Sequence, residues 1–310
     1  MKQQVNQVKV IQDSINTSGD RMITYEIETY RYIWAEVLTH KMLVKNAQSS
    51  RAVPVKSVAS VNEHNYVEPI IWGKNKAGMS ASEELEGDNL KSARLIWAEM
   101  SQTAFSASNM LSDLGLHKMW TNRITEPFSR IKAVISGTEW DNFFWLRTDE
   151  EAVQPEFYDL ACKMLDARNQ STPFLLRQNE LHVPYIERVV ETKDGLVHYY
   201  SNDKEVSMQD AMKISASCIA QVSYRRLDTS YAKAMEIYDK LFSGPKPHLS
   251  PTESIAIALG NNRATLLERV FPSRLAKGVS HIDREGYLWS ANLKGFVQYR
   301  KLMEEQFKSK

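Results

Sequence analysis

Thr39-His40-Lys41-Met42-Leu43-Val44-Lys45-Asn46-Ala47-Gln48-Ser49-Ser50-Arg51 is the most informative stretch of the chain. It begins at the end of a helical pattern, Arg31 to Met42, in which Ile33, Trp34, Val37 and Leu38 fall on one face. From Leu43 to Pro54 the residues turn polar and read as a loop, closed by a proline that forbids further helix. Such a loop presents hydroxyls, amides and a guanidinium. Arginine is the side chain best shaped to hold a phosphate through two parallel hydrogen bonds, and serine hydroxyls can complete the cage. A solvated polar loop has the same composition, so residue types alone leave both readings open.

On the N-terminal side, Val8 to Ile15 and Ile23 to Glu28 alternate apolar and polar residues as half-buried strands do, with Gly19 and Asp20 in the turn between them. On the C-terminal side, Ser80 to Leu114 reads as a long helix opened by a capping box of Ser80 and Glu83. Helical patterns follow at Glu126 to Ser136, Asp141 to Leu146 and Pro155 to Ala167, then a loop from Asp166 to Pro173. Leu181 to Tyr200 reads as paired strands with Asp194 and Gly195 in a hairpin turn. Val206 to Arg225, Tyr231 to Phe242 and Asn292 to Gln306 are helical again. No internal repeat is visible, and any sub-boundary falls near residues 190–205 of a single domain spanning 1–310.

Composition narrows the function classes. The chain has 310 residues, 43% of them hydrophobic, which suffices for a real core. Lys and Arg number 39 against 38 Asp and Glu, a formal net charge of +1. That balance argues against direct binding to DNA or RNA, though a few arginines focused in one cleft can still hold a small anion. No apolar run is long enough to cross a bilayer and no secretory h-region opens the sequence, so a cytoplasmic protein is expected. Cys162 and Cys218 give neither a disulfide framework nor metal spacing, and no H-E-x-x-H, G-x-G-x-x-G or Walker A loop is present. No metal site is expected.

The stretch Thr39–Arg51 resembles the signature of the flavin-dependent thymidylate synthases, R-H-R-x-x-S-x-N-E-x-S-x-R. His40, Asn46, Ser49 and Arg51 match it in register, whereas Thr39, Lys41, Val44 and Ala47 depart from it. Asn122-Arg123-Ile124-Thr125-Glu126-Pro127 resembles the family's A-R-x-x-L-P, and Asn142-Phe143-Phe144-Trp145-Leu146-Arg147 its N-F-x-x-L-R helix. Glu151 to Phe157 resembles the A-Q-x-E-I continuation with one residue inserted. Ser217 to Tyr224 resembles A-R-V-S-Y, and His248 to Glu253 resembles H-x-S-P-x-E-H with Ser254 at the second histidine. Read without the family, Ser250, Pro251 and Glu253 make a helix start, and such an end is also an anion site. These last two segments precede the R-H-R loop in the common form of the family and follow it here, so the chain resembles a circularly permuted, phage-type relative. Two flavin-contacting positions of the family, an asparagine and an arginine, fall on Ser136 and Thr138.

The resemblance implies an α+β fold with a central antiparallel sheet flanked by helices, and a homotetramer with active sites between subunits. It implies FAD as cofactor, methylenetetrahydrofolate as carbon donor and NADPH as reductant, acting on carbon 5 of a pyrimidine deoxynucleotide, with dUMP to dTMP favoured. Arg147 would stabilise charge developing on the pyrimidine, with Ser49 beside the phosphate. Arg51 and Arg123 would hold the nucleotide, and Glu36 stands where the family has a glutamine. His40, Lys41, Asn46, Asn142, Ser250 and Glu253 would face the flavin. The other class of thymidylate synthase uses a Pro-Cys-His cysteine, and neither cysteine here has that context. Two alternatives stay open. One is a dCMP or dUMP hydroxymethylase serving phage DNA modification in an infected host; the other is a non-catalytic nucleotide-binding protein.

Overall fold

The computed structural model describes residues 5–53, 65–78, 81, 83–191, 195–222 and 227–308. Strands β1 (Gln7–Asn16) and β2 (Arg21–Tyr30) form the antiparallel hairpin that their alternation predicts. Its turn is fixed locally. Asn16 Oδ1 accepts hydrogen bonds from the backbone N–H groups of Ser18 and Asp20 at 3.0 and 2.9 Å, and Gly19 supplies a φ of +90°. Strand β3 (Val44–Ala47) pairs antiparallel with β4 (Arg130–Gly137), β4 with β2, and a short β5 (Phe174–Leu176) runs parallel to the end of β1. The sheet order is β3-β4-β2-β1-β5.

Two elements differ from the sequence reading for one shared reason. Glu126 to Ser136 is a 3-10 turn, Glu126–Phe128, followed by β4 rather than a helix. Strand β4 lies between β2 and β3 and is buried on both faces, so its apolar run shows no period of two. Its β-branched Ile131, Val134 and Ile135 are at home in a strand. The polar segment after Leu43 holds β3, a four-residue edge strand whose register comes from β4 and not from any pattern of its own. Pro54 lies outside the described residues.

The helices are α1 (Trp34–Val37), α2 (Gly87–Asp113), α3 (Lys118–Ile124), α4 (Asp141–Arg147) and α5 (Pro155–Gln170), then α6 (Met208–Val222), α7 (Tyr231–Phe242), α8 (Leu266–Val270) and α9 (Tyr299–Lys308). The first is a single turn preceded by the 3-10 turn Arg31–Ile33, shorter than its pattern predicts. Helix α2 starts after Glu86, downstream of the expected capping box, whose Ser80 lies outside the described residues. Helix α5 runs on to Gln170, through half of the expected loop. Strands β6 (Leu181–His182), β7 (Glu187–Val190) and β8 (Val197–Ser201) occupy the predicted strand region, with β7 and β8 paired antiparallel, and an unpredicted β9 (Lys204–Val206) follows before α6. Of that turn, Asp194 lies outside the described residues and Gly195 has φ +69°. After β10 (Ala256–Ala258), β11 (His281–Ile282) and β12 (Leu288–Ser290), the first half of the expected helix from Asn292 is instead β13 (Leu293–Lys294) and β14 (Phe296–Gln298), and only its second half is helical. The chain is thus α+β, with further three-stranded antiparallel groupings β14-β10-β6, β11-β12-β13 and β7-β8-β9. Among the described residues no helix is long and apolar enough to cross a membrane.

The two faces of the five-stranded sheet bury different chemistry. One packs Ile23, Tyr25, Ile27, Ala133 and Ile135 against Trp140 and against Phe143, Phe144, Phe157, Leu160 and Met164 of α4 and α5. The other packs Met22 and Val44 against Ala256, Ala258, Leu293 and Phe296. It also holds a polar knot around the fully buried His182, whose Nδ1 and Nε2 lie 2.7 and 2.8 Å from the hydroxyls of Ser14 and Thr24. Thr24 in turn donates to Ser136 Oγ at 2.8 Å. Burial, then the nearby Arg188 charge, holds His182 well below the ordinary imidazole range, so the ring is neutral.

Ile135, only 1% exposed at the centre of β4, tests the strand assignment. Ile135→Ala should lower unfolding free energy by about 2–5 kcal/mol, measured by urea denaturation. A loss below about 0.5 kcal/mol, ordinary for a surface position, would contradict a strand buried on both faces.

Candidate functional site

Strand β3 pairs residue by residue with β4, Asn46 opposite Val134 and Lys45 opposite Ile135, so neighbouring side chains leave on opposite faces. Asn46 Nδ2 donates to the Ile219 carbonyl of α6 at 3.2 Å, tying the edge strand to the helix over that face. The loop that follows is buttressed from below. Buried Asn122 donates to the carbonyls of Ser50 and Val53 at 2.8 and 2.9 Å, and the Ser50 hydroxyl donates to Glu126. Glu126 also pairs with Arg31 at 3.7 Å and Arg123 at 3.2 Å. The 122–127 segment therefore sets the shape of the loop that carries Ser49 and Arg51.

That loop forms one wall of a cleft of about 750 Å³, within the size range of small-molecule sites. Asn46, Ser49 and Arg51 line it, together with Ala220 of α6, Ile237, Lys240 and Leu241 of α7, Lys246, and His248 and Pro251 around the 3-10 turn Ser250–Ser254. Met119 and His117 contribute from α3 and its N-cap. The lining mixes apolar side chains with polar and charged ones, and Arg51 is exposed with no partner for its guanidinium among the described residues. Three segments far apart in sequence, around 46–51, 220 and 248–251, meet here.

A second cluster lies where α4 meets the end of the first signature residues. Arg147 Nε donates to His40 Nε2 at 2.8 Å, and its guanidinium lies over the Phe157 ring, 4.8 Å from the centroid. The His40 ring meets Phe143 edge-on at 4.9 Å. Arginine only donates, so Nε2 must be the unprotonated nitrogen and the proton sits on Nδ1. Burial, then the charges of Arg147 and Lys45, pushes the His40 pKa down to about 4. Lys45, its ammonium donating to the carbonyls of His40 and Leu43, is itself lowered to about 8 by burial and by Lys41.

The remaining sequence-predicted residues do not join these clusters into one site. Arg123 is exposed and paired with Glu126, Glu36 is exposed on α1, and Asn142 is exposed on α4. Lys41 and Glu253 line a separate cleft of about 420 Å³ with Lys45, Arg300 and Lys301, and the Glu253 carboxylate accepts from Arg300. Ser250 Oγ lies 3.3 Å from His248 Nδ1. Ser136 is fully buried and accepts from Thr24, while Thr138 Oγ1 accepts the Lys294 N–H at 2.9 Å. Both are committed to internal bonds. Within one chain the residues assigned to FAD are thus divided among several places and do not form a single cradle. Sequence reasoning missed Lys240, Lys246 and His117, which belong to no motif and reach the cleft only through the fold. Among the described residues no group of His, Cys, Asp and Glu could hold a metal.

No protein-family model and no curated protein matches the chain. Solved structures that it partly resembles include a UMP/dUMP methylase, PolB, from Streptomyces cacaoi bound with 5-Br dUMP, at 13% identity and TM-score 0.39 over 48% of this chain and 66% of that one. The same methylase bound with 5-Br UMP gives 13% identity and TM-score 0.43 over 54% and 90%. Thymidylate Synthase X from Helicobacter pylori with FAD and dUMP gives 20% identity and TM-score 0.32 over 47% and 67%. The chain thus spans about two thirds of the length of the first and third.

The His40 geometry predicts a pH dependence. Its folded-state pKa of about 4 lies below the ordinary 6.5, so the unfolded chain takes up a proton first. The contribution to stability is complete above pH 6.5 and is lost as pH falls from there towards 4. NMR titration of His40 should show a midpoint near 4, and His40→Asn should flatten the fall in stability across that window. A midpoint near 6.5 would contradict the Arg147 contact.

Burial raises the Cys218 pKa to about 12, and burial likewise raises that of Cys162, so neither thiol is poised as a nucleophile. Cys162→Ser and Cys218→Ala variants should keep whatever activity the parent shows. Loss of chemistry in a folded variant would show that a thiol takes part.

Proposed function

We propose that the chain is a nucleotide enzyme that binds a pyrimidine deoxynucleotide monophosphate in the larger cleft and transfers a one-carbon unit from methylenetetrahydrofolate to its carbon 5, converting dUMP to dTMP. The observation that carries this reading is convergence. Segments that separately resemble stretches of the flavin-dependent thymidylate synthases, around Asn46–Arg51, Ala220 and His248–Pro251, line one cleft although the chain separates them widely. Chance matches would have no reason to meet in space. The 122–127 and 142–147 segments also touch the signature stretch, through Asn122 to Ser50 and Arg147 to His40.

In this reading the Arg51 guanidinium and the Ser49 hydroxyl bind the phosphate at the mouth of the cleft. The apolar floor of Ala47, Ala220, Ile237 and Leu241 takes sugar and base and excludes water from them. Carbon 5 attacks as an enolate-like carbon, and a fixed cation stabilises the negative charge that the ring carbonyl carries before the bond forms. Arg147 has that role by resemblance. Its Nε is held by His40, which leaves the terminal nitrogens without hydrogen-bond partners among the described residues. Arg147, Arg123 and Glu36 lie outside the cleft lining of one chain, as do His40 and Asn142. They reach a nucleotide or FAD only if a second copy completes the site, which agrees with the homotetramer that the resemblance implies for this single domain. FAD would supply reducing equivalents, drawn from NADPH. Because its residues form no cradle in one chain, the roles above concern the nucleotide alone.

The test is direct. Protein incubated with dUMP, methylenetetrahydrofolate, FAD and NADPH should yield a nucleotide heavier by one methylene unit, read by mass spectrometry. Arg51→Ala should weaken dUMP binding by about 1.5–3 kcal/mol, the range for hydrogen bonds to charged groups. A product carrying an additional oxygen, or turnover of dCMP alone, would replace methyl transfer by hydroxymethyl transfer. Binding of nucleotide without any product would leave a non-catalytic binding protein.

A further inference from the structure

We infer that Lys240 and Lys246 form a second anion-binding wall of the larger cleft, and that the phosphate of the ligand is held between them and Arg51. This rests on the nucleotide reading above and adds residues that no motif assigns. Lys240 stands in the last turn of α7 and Lys246 in the segment after it, whereas Arg51 comes from the loop after β3, and all three line the same cleft. Among the described residues none of their side chains has an ion pair or hydrogen bond, and no Asp or Glu lines the cleft.

Three cations that line one cleft from separate elements, without partners among the described residues, need an explanation in a chain whose net charge is only +1. A lysine in the last turn of a helix is favoured by the helix dipole, which accounts for Lys240 by itself. It does not account for Lys246, which lies beyond the helix, nor for Arg51 on a different element. By contrast, the lysine two turns earlier on α7, Lys233, is neutralised by Glu236 at 2.6 Å. Cations gathered over apolar walls focus their field into the cleft and raise the local concentration of anions. A phosphate is the anion that uses this best, since it can accept from ammonium and guanidinium donors on opposite sides at once. The same chemistry is offered by a nucleoside monophosphate and by the diphosphate bridge of a dinucleotide such as FAD.

Calorimetric titration of the full chain with deoxyuridine, dUMP and FAD, repeated on Lys240→Gln/Lys246→Gln, separates the cases. Both lysines are exposed, so the variant should melt with the parent. The parent should bind dUMP at least about tenfold more tightly than deoxyuridine, and the double variant should lose about tenfold in dUMP affinity while deoxyuridine binding stays unchanged. A loss confined to FAD would identify the dinucleotide as the source of the phosphate. If the parent binds dUMP or FAD and the double variant binds them equally well, the second wall is overturned and the nucleotide reading stands. If the parent binds neither, the nucleotide reading fails and the second wall fails with it.

Discussion

The pairing of β3 with β4 is the constraint on which the rest of the site depends. Four residues, Val44 to Ala47, hydrogen-bond along β4 in one register, Val44 opposite Ser136 through Ala47 opposite Ala133. Because side chains alternate along a strand, that register sends Val44 and Asn46 to the face covered by α6 and the 256–258 strand, and Lys45 to the face of α4 and α5. A slip of one residue would exchange them, turning Asn46 away from the Ile219 carbonyl and pushing a lysine into the apolar cluster of Met22 and Phe296. The register also fixes where the chain leaves the sheet, and hence where Ser49 and Arg51 stand.

The aromatic layer on the α4–α5 face gives the other fixed point. Trp140, Phe143, Phe144 and Phe157 meet one another at ring separations of 5.3 to 6.0 Å, an arrangement that locks both helices against the sheet. His40 and Arg147 close this layer at its edge, one as a neutral ring and the other as a guanidinium stacked on Phe157. A protonated His40 would set two cations side by side over an apolar floor, so the pair is stable only with the imidazole neutral. The same packing that orders α4 thereby fixes the tautomer of the histidine and the direction of the arginine.

Legibility in the sequence followed the range of the forces involved. The β1–β2 hairpin was readable because its alternation and its Asn16–Gly19 turn are local. Helices α4, α5 and α7 were readable because each carries its own period. Strand β4 was misread as helix because burial on both faces erases the alternation by which a strand is recognised. Strand β3 was missed because an edge strand of four mostly polar residues has no pattern, and its pairing partner comes from far along the chain. In the site, Asn46, Ser49 and Arg51 were visible through resemblance. Lys240 and Lys246 were not, since a lysine on a helix end or in a loop looks the same whether it faces solvent or a cleft.

A cleft assembled in this way depends on placement in space and not on order along the chain. Its walls come from the loop after β3, from α6 and α7, and from the Ser250–Ser254 turn, and each wall is held by contacts that do not require the elements to be neighbours in sequence. Buried Gln298 shows how such a wall is anchored: its side-chain amide donates to the Glu253 carbonyl at 3.1 Å, and its own strand β14 pairs with β10 just beyond the turn. Provided that each segment keeps its docking contacts, the chain can visit them in a different order without moving the side chains that face the ligand. Joining old termini and opening a new pair elsewhere changes the connections on the surface, where loops cost least to alter. The cleft is therefore specified by packing against the sheet, and the connections between its parts are free to differ.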